Sequence, residues 1–151
     1  EQQITFTDAE QEGGAFYLPD SETILYRSWD ISAEGQRGMP MIIYTIRHDG
    51  TDKRQVTTEE GTNWAPFPAP DGEHFVFVKV LPPHNFEIFL RSLVSGEETR
   101  LTYNDRFDGF PAISPDGKLM TFSSGRQAPE GARMLHQYVM DISSLGVGPK
   151  Q

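Results

Sequence analysis

The chain contains no cysteine, which excludes a disulfide framework, a thiolate zinc site and a cysteine nucleophile and is compatible with any compartment. Positive charge is scarce. Thirteen Lys and Arg stand against 22 Asp and Glu, and the net charge of -9 argues against nucleic acid or an anionic membrane as partner. No apolar run is long enough to span a bilayer and no basic-then-apolar leader opens the chain, so membrane insertion is not expected. The first residue is Glu1 rather than methionine, as in a mature or trimmed form. Catalytic signatures are also missing: there is no Gly-x-Ser-x-Gly elbow, no His-Glu-x-x-His and no phosphate loop. The four histidines, His48, His74, His84 and His136, do not share a place in the pattern described next and so do not converge on a metal.

What the chain does contain is a repeat. Pro115-Asp116-Gly117 aligns with Pro70-Asp71-Gly72 and with Pro19-Asp20-Ser21, at separations of 45 and 51 residues. Each proline presets φ, and the residues after it tolerate a tight or left-handed turn between flanking apolar runs, which predicts a β-hairpin. Seven positions after the prolines stand Tyr26, Phe77 and Phe122, read as blade core. A third apolar run is centred on Tyr44, Phe89 and Tyr138, and a fourth is the signature Gln55-Val56-Thr57 or Arg100-Leu101-Thr102. Turns at His48-Asp49-Gly50 and Ser95-Gly96 lie between the third and fourth runs. Four antiparallel strands repeating at this period make a propeller blade.

The third repeat ends without a fourth strand, whereas Gln3-Ile4-Thr5 reads as a fourth strand with no others before it. The expected fold is therefore all-β, with three four-stranded antiparallel blades over residues 15–57, 65–102 and 110–142, the last completed by strand 2–6 of the same or a neighbouring chain. The 151 residues form a single domain on this reading. Three blades are too few to close around a channel. The bare outer faces of the first and last blades predict self-association of two chains into a six-bladed ring. The alternative is a segment of a longer propeller, and the two are compatible.

The Ser-Pro-Asp-Gly turn, the aromatic seven residues later and the Arg-Leu-Thr strand together resemble the Pro-Asp repeats of TolB-like, WD-like β-propellers. The first copy departs most, with Leu18, Ser21 and Ala15 in place of the serine, the glycine and an upstream proline. The resemblance implies a periplasmic or secreted location and several functions. The favoured one is a non-enzymatic module that binds a protein or peptide at the channel mouth. The others are the gating propeller of a larger peptidase or hydrolase, and a carbohydrate-processing or metal-binding propeller.

Alternating strands place the second-to-third-strand loops and the connections between blades on one face, and the Pro-Asp turns on the other. Residues Trp29 to Pro40 and Gly125 to His136 are long polar loops on the first face, and such loops are where binding residues concentrate. Seven residues before each turn proline stand Glu12, Asn63 and Asp108, predicted to ring the channel mouth with Trp64 and Phe107 beside them. These oxygen-bearing groups suit a peptide ligand or a hard cation such as calcium, with Glu12 and Asp108 the metal candidates; the alternative is that they cap backbone donors. Asp8, Glu10, Glu12 and Gly13 imitate the opening of a calcium loop, but its twelfth position is Pro19 rather than glutamate. Arg126 and Arg133 suit a carboxylate-bearing ligand or simple surface charge. Asp20, Asp71 and Asp116 are read as structural, each accepting N–H groups of its own turn.

Overall fold

Local chemistry acts first at the Pro-Asp turns. In the computed structural model, which describes residues 1–33, 39–58 and 61–150, the three turns close with the same backbone bond. The third turn residue donates its backbone N–H three residues back, Ser21 to Leu18, Gly72 to Ala69 and Gly117 to Ser114. Asp20 Oδ1 accepts the amides of Glu22 and Thr23, and Asp71 Oδ1 accepts those of Glu73 and His74. Asp116 Oδ1 accepts the Lys118 amide and the Ser114 hydroxyl. Ser21, Gly72 and Gly117 are all left-handed, with φ of 58°, 73° and 72°. The first copy therefore makes the same turn without its glycine.

Each turn joins two strands of an antiparallel sheet. The first sheet has the order β1 (Glu10–Tyr17), β2 (Thr23–Asp30), β3 (Ile42–Arg47), β4 (Arg54–Gln55). The second runs β5 (Asn63–Pro68), β6 (His74–Leu81), β7 (Asn85–Ser92), β8 (Glu98–Arg100). The third has three strands, β9 (Asp108–Ile113), β10 (Leu119–Ser124) and β11 (His136–Asp141). These are propeller blades. The innermost strands begin before the expected starts, β1 by the widest margin: residues 10–14, read as connection, are strand.

Blades are held face to face. Leu25 and Ile43 of the first meet Phe75 and Phe77 of the second. Val76, Val78, Ile88 and Leu90 on the other side of the second meet Ile113, Met120 and Phe122 of the third. The repeated aromatics pair across strands, Tyr26 with Tyr44, Phe77 with Phe89 and Phe122 with Tyr138, at 5.9, 6.1 and 5.8 Å between ring centres. The threonine of the fourth-strand signature also has a physical role. Thr57 and Thr102 are buried, and their hydroxyls accept the N–H of Ile43 and Ile88 at 2.9 Å, where the ladder offers no carbonyl. The residue two before each threonine bonds the threonine's own carbonyl, Gln55 at 2.9 Å and Arg100 at 2.8 Å.

The ends of the arc differ from expectation. Gln3-Ile4-Thr5 makes the same local bond, Gln3 Nε2 to the Thr5 carbonyl at 2.7 Å, yet residues 1–7 are not strand and pair with no part of the third blade. They lie over the outer face of the first, where Ile4 and Thr5 share a cavity wall with Ile24, Tyr26 and Ile46. Covering that apolar face within one chain is the local solution, because the free edge of β11 is at the other end of the arc. After β11 the chain turns through Ser143–Leu145 and buries Val147 between the second and third blades, and Lys150 pairs with Glu73.

Two outcomes test this picture. Ser21→Gly should raise unfolding stability by about 1 kcal/mol in urea titrations by removing left-handed strain. Gly117→Ala should lower it by more, since its Cβ would also collide with the Gly148 backbone. The turn aspartates add a pH dependence. The Ser114 hydroxyl and Lys118 amide hold Asp116 below its ordinary value; burial pushes Asp20 up, but bonds from Thr23 and Glu22 outweigh it. Folded values below unfolded ones stabilise above about pH 4, and that stabilisation is lost as pH falls through the folded values. Thermal melts of Asp116→Asn should therefore show a shallower loss of stability between about pH 4 and 2 than the parent.

Candidate functional site

The innermost strands position the site, and all three are bent in the same way. Each carries a register shift, between Gly13 and Phe16 in β1 and between Trp64 and Phe67 in β5, with the third where β9 meets Thr121 to Ser123. The residue five before each turn proline is left-handed: Gly14 at φ 64°, Ala65 at 50° and Phe110 at 55°. Such bulges re-aim the side chains beside them. Here they push Phe110 outward, 54% exposed, and set Trp64 edge-on to it at 5.0 Å.

Trp64 is the hub of a ring cluster. Phe107 lies 6.1 Å from it and Phe86 6.2 Å, Phe86 and Phe107 are 5.2 Å apart, and His84 stands edge-on to Phe86 at 4.9 Å. These residues come from β5, the turn before β7 with the start of β7, and the connection into β9. The loop after β10 closes over them. Beside Trp64, the rings of His84, Phe86 and Phe107 and this loop line an apolar cavity of about 570 Å³ that also takes in Met134 and Leu135, with Arg106 and Arg133 at its rim. Neither arginine has an ion-pair partner among the described residues. The loops between second and third strands and the blade connections do share a face, as strand direction requires.

The three in-phase polar residues are not equivalent. Asp108 is fully buried, and its carboxylate accepts Arg126 Nη2 at 2.9 Å and Asn104 Nδ2 at 3.0 Å. Arg126 is thereby fixed, and its guanidinium also covers the Phe122 and Tyr138 rings at 5.1 and 4.9 Å. It is a clamp on its own blade rather than a free ligand group. Asn63 is 1% exposed and donates to the Met41 carbonyl, while its Oδ1 has no partner. Glu12 accepts the hydroxyls of Thr5 and Thr7 at 3.2 Å, holding the N-terminal segment against the first blade. The hydrogen bonds of Asp108 and Glu12 thus come from side chains rather than from capped backbone donors. Among the described residues no three His, Asp or Glu side chains cluster closely enough to share a metal. Within the long first loop, residues 34–38 lie outside the described residues.

Sequence reasoning missed Glu87. It is fully buried and accepts Arg100 Nη2 at 2.9 Å, Asn85 Nδ2 at 2.9 Å, the Thr102 hydroxyl and the Asn104 amide. Asn104 in turn reaches Asp108, so one polar chain ties the second blade to the mouth of the third. The available signal was phase, because the matching positions hold Ile42 and His136.

No protein-family profile matches the chain. Eighty-four residues are 32% identical to an uncharacterised protein of Agrobacterium fabrum, covering 56% of this chain and 28% of that protein. In three dimensions the chain superposes on TolB from Acinetobacter baumannii with a TM-score of 0.73 at 24% identity, covering 88% of this chain and 30% of TolB. The fold is TolB-like. A putative TolB from Agrobacterium tumefaciens gives 0.65 at 19% identity, over 93% and 61% of the two chains. An oligogalacturonate lyase from Vibrio parahaemolyticus gives 0.63 at 16%, over 93% and 39%. The chain thus spans less than a third of the Agrobacterium fabrum relative and of the Acinetobacter TolB.

The Asp108–Arg126 pair yields a prediction. Arg126→Met leaves a buried carboxylate with only Asn104 and should cost about 2 kcal/mol, below the 3–5 of a fully enclosed pair because Arg126 is partly solvated. Asp108→Asn should cost less than Arg126→Met. Equilibrium unfolding of both variants and the double variant decides this, and additive costs would show the two groups to be uncoupled.

Proposed function

We propose that the chain is a non-enzymatic β-propeller module that binds a protein or peptide on its loop-bearing face, at the aromatic cluster between the second and third blades. The carrying observation is an apolar cavity walled by Phe86 and Phe107, backed by the Trp64 and half-exposed Phe110 rings and rimmed by Arg106 and Arg133, which have no ion-pair partner among the described residues. Aromatic side chains in a desolvated hollow are the usual anchors of binding energy, and rim cations add orientation. Asp108 and Arg126 act as positioning residues, and the ligand is an apolar peptide segment with flanking acidic groups. The proposal includes a periplasmic or secreted location, which the likeness to TolB supports. No helix among the described residues is long and apolar enough to cross a membrane.

A second reading concerns self-association. Strand β11 has an unpaired outer edge, and Gln3-Ile4-Thr5 carries the same local bond as the two docked fourth strands. Two chains could exchange these segments to close a six-bladed ring, the first blade's outer face then packing on the third blade of the partner.

Selection of a random peptide library on the immobilised chain should enrich sequences with apolar anchors beside acidic residues. Phe86→Ala and Phe107→Ala should each lose that enrichment by at least about tenfold, as loss of a hot-spot contact does. Unchanged selection in both variants would sink the reading. For the ring, light scattering across a dilution series should show two chains, and deleting residues 1–6 should leave one; a single-chain mass at every concentration rejects it.

A further inference from the structure

Arg27 stands at an interior phase of the repeat, where the other two copies bury small uncharged side chains. Counted from the turn proline it matches Val78, wholly buried between the second and third blades, and Ser123. On β2 it pairs in register with Ile43, a core residue at the first-to-second blade interface. It is half-buried there without a counter-charge: no ion pair or side-chain hydrogen bond engages it among the described residues, and its Nε is enclosed and unpartnered. Burial pulls its pKa below the usual arginine value, as expected of a cation deprived of water.

The surroundings leave room for this side chain and for something more. Gly13 and Gly14 form its floor: a Cβ at Gly14 would lie 2.6 Å from Nη1, and one at Gly13 3.6 Å from Nη2. The Trp29 ring lies under the guanidinium at 5.3 Å. In front of it opens a cavity of about 370 Å³ between the innermost strands, walled by Phe16, Trp64, Phe67, Phe110 and Pro111. All three left-handed bulge residues, Gly14, Ala65 and Phe110, border this one space. An unpaired cation at one end of an aromatic hollow is complementary to an anion carried on an apolar body. The fork of the guanidinium suits a carboxylate in particular.

We infer that this cavity is a binding site for a carboxylate borne on an apolar or aromatic group, with Arg27 as its anion-binding residue and Phe16, Trp64, Phe67 and Phe110 holding the apolar part. Free organic acids and peptide C-termini share this chemistry. Trp64 and Phe110 border both sites, but Arg27 does not line the cavity walled by Phe86 and Phe107, so a test that turns on Arg27 can fail without the peptide-binding reading failing. Offsetting a cation that would otherwise be poorly solvated explains why an arginine occupies an interior phase of the repeat.

The test titrates the chain with N-acetylphenylalanine and with its amide. Trp29 and Trp64, the only tryptophans, report through fluorescence. The acid should bind saturably and about tenfold or more tighter than the amide, the difference expected for a charge-assisted bond. Arg27→Met should abolish that preference, and Arg27→Lys should restore it in part. An acetylated tetrapeptide ending in phenylalanine separates the sources: tighter binding than the single residue assigns a peptide C-terminus, and equal binding a free acid. If Arg27→Met does not fold, the Arg27 Nε–H resonance of the parent, assigned through Arg27→Lys, should move with the acid and not with the amide. Equal binding of acid and amide, no binding of either, or unchanged preference in Arg27→Met overturns the inference. A rise in melting temperature of Arg27→Met with preference intact would show a solvated structural arginine only.

Discussion

A propeller sheet has two apolar faces and can satisfy neither by itself, so every blade depends on the next. In this chain the middle blade is the one with a blade against each face, Phe75 and Phe77 toward the first and Val76, Val78, Ile88 and Leu90 toward the third. That dependence sets the fate of the ends. The outer face of the first blade keeps Tyr26 and Ile46 buried because the N-terminal segment leans on it. The outer face of the third carries Thr121, Gln137 and a Val139 that is 68% exposed, a more polar surface that needs less cover. The two ends are therefore unlike, as a head-to-tail arrangement of blades requires.

Most of the fold was legible because it rests on short-range chemistry repeated three times. A proline followed by aspartate closes its own turn, and an aromatic seven residues later meets one across the ladder, whatever else the chain does. Even the departure at Ser21 could be read through, since the turn demands the left-handed geometry and the aspartate bonds hold it there. The start of β1 was not legible. Gly13-Gly14 reads as loop, and only the bulge against β2, with Arg27 lying on those glycines, explains why strand runs through them. The placement of Gln3-Ile4-Thr5 was not legible either, because three residues with a self-contained bond specify a strand edge without specifying which edge.

The candidate site was legible in position and less so in role. Phase located Glu12, Asn63 and Asp108, yet it treated them as one ring. The structure distinguishes them by what arrived from elsewhere: threonine hydroxyls at Glu12, a carbonyl at Asn63, and Asn104 with Arg126 at Asp108. Phase also put Trp64 and Phe107 next to one another, and their rings pack at 6.1 Å. His84, in the short loop before β7, and Phe86, at the start of that strand, share no phase with the other site residues and so gave no signal.

Repetition sharpens the reading of what does not repeat. In a single-copy fold a half-buried arginine or a buried glutamate has no internal standard, and its oddity must be judged against proteins at large. Here the standard lies in the same chain: Val78 shows that the backbone at Arg27 accepts an apolar residue, and Ile42 shows the same for Glu87. The two deviations then separate by their partners. Glu87 is saturated by four donors and is explained by the connection it organises. Arg27 is not saturated, and it faces a cavity where three separately strained inner strands converge. A polar residue that breaks the repeat and completes its own hydrogen bonding is architecture, whereas one that breaks the repeat and leaves its bonding open points to something the chain was shaped to hold.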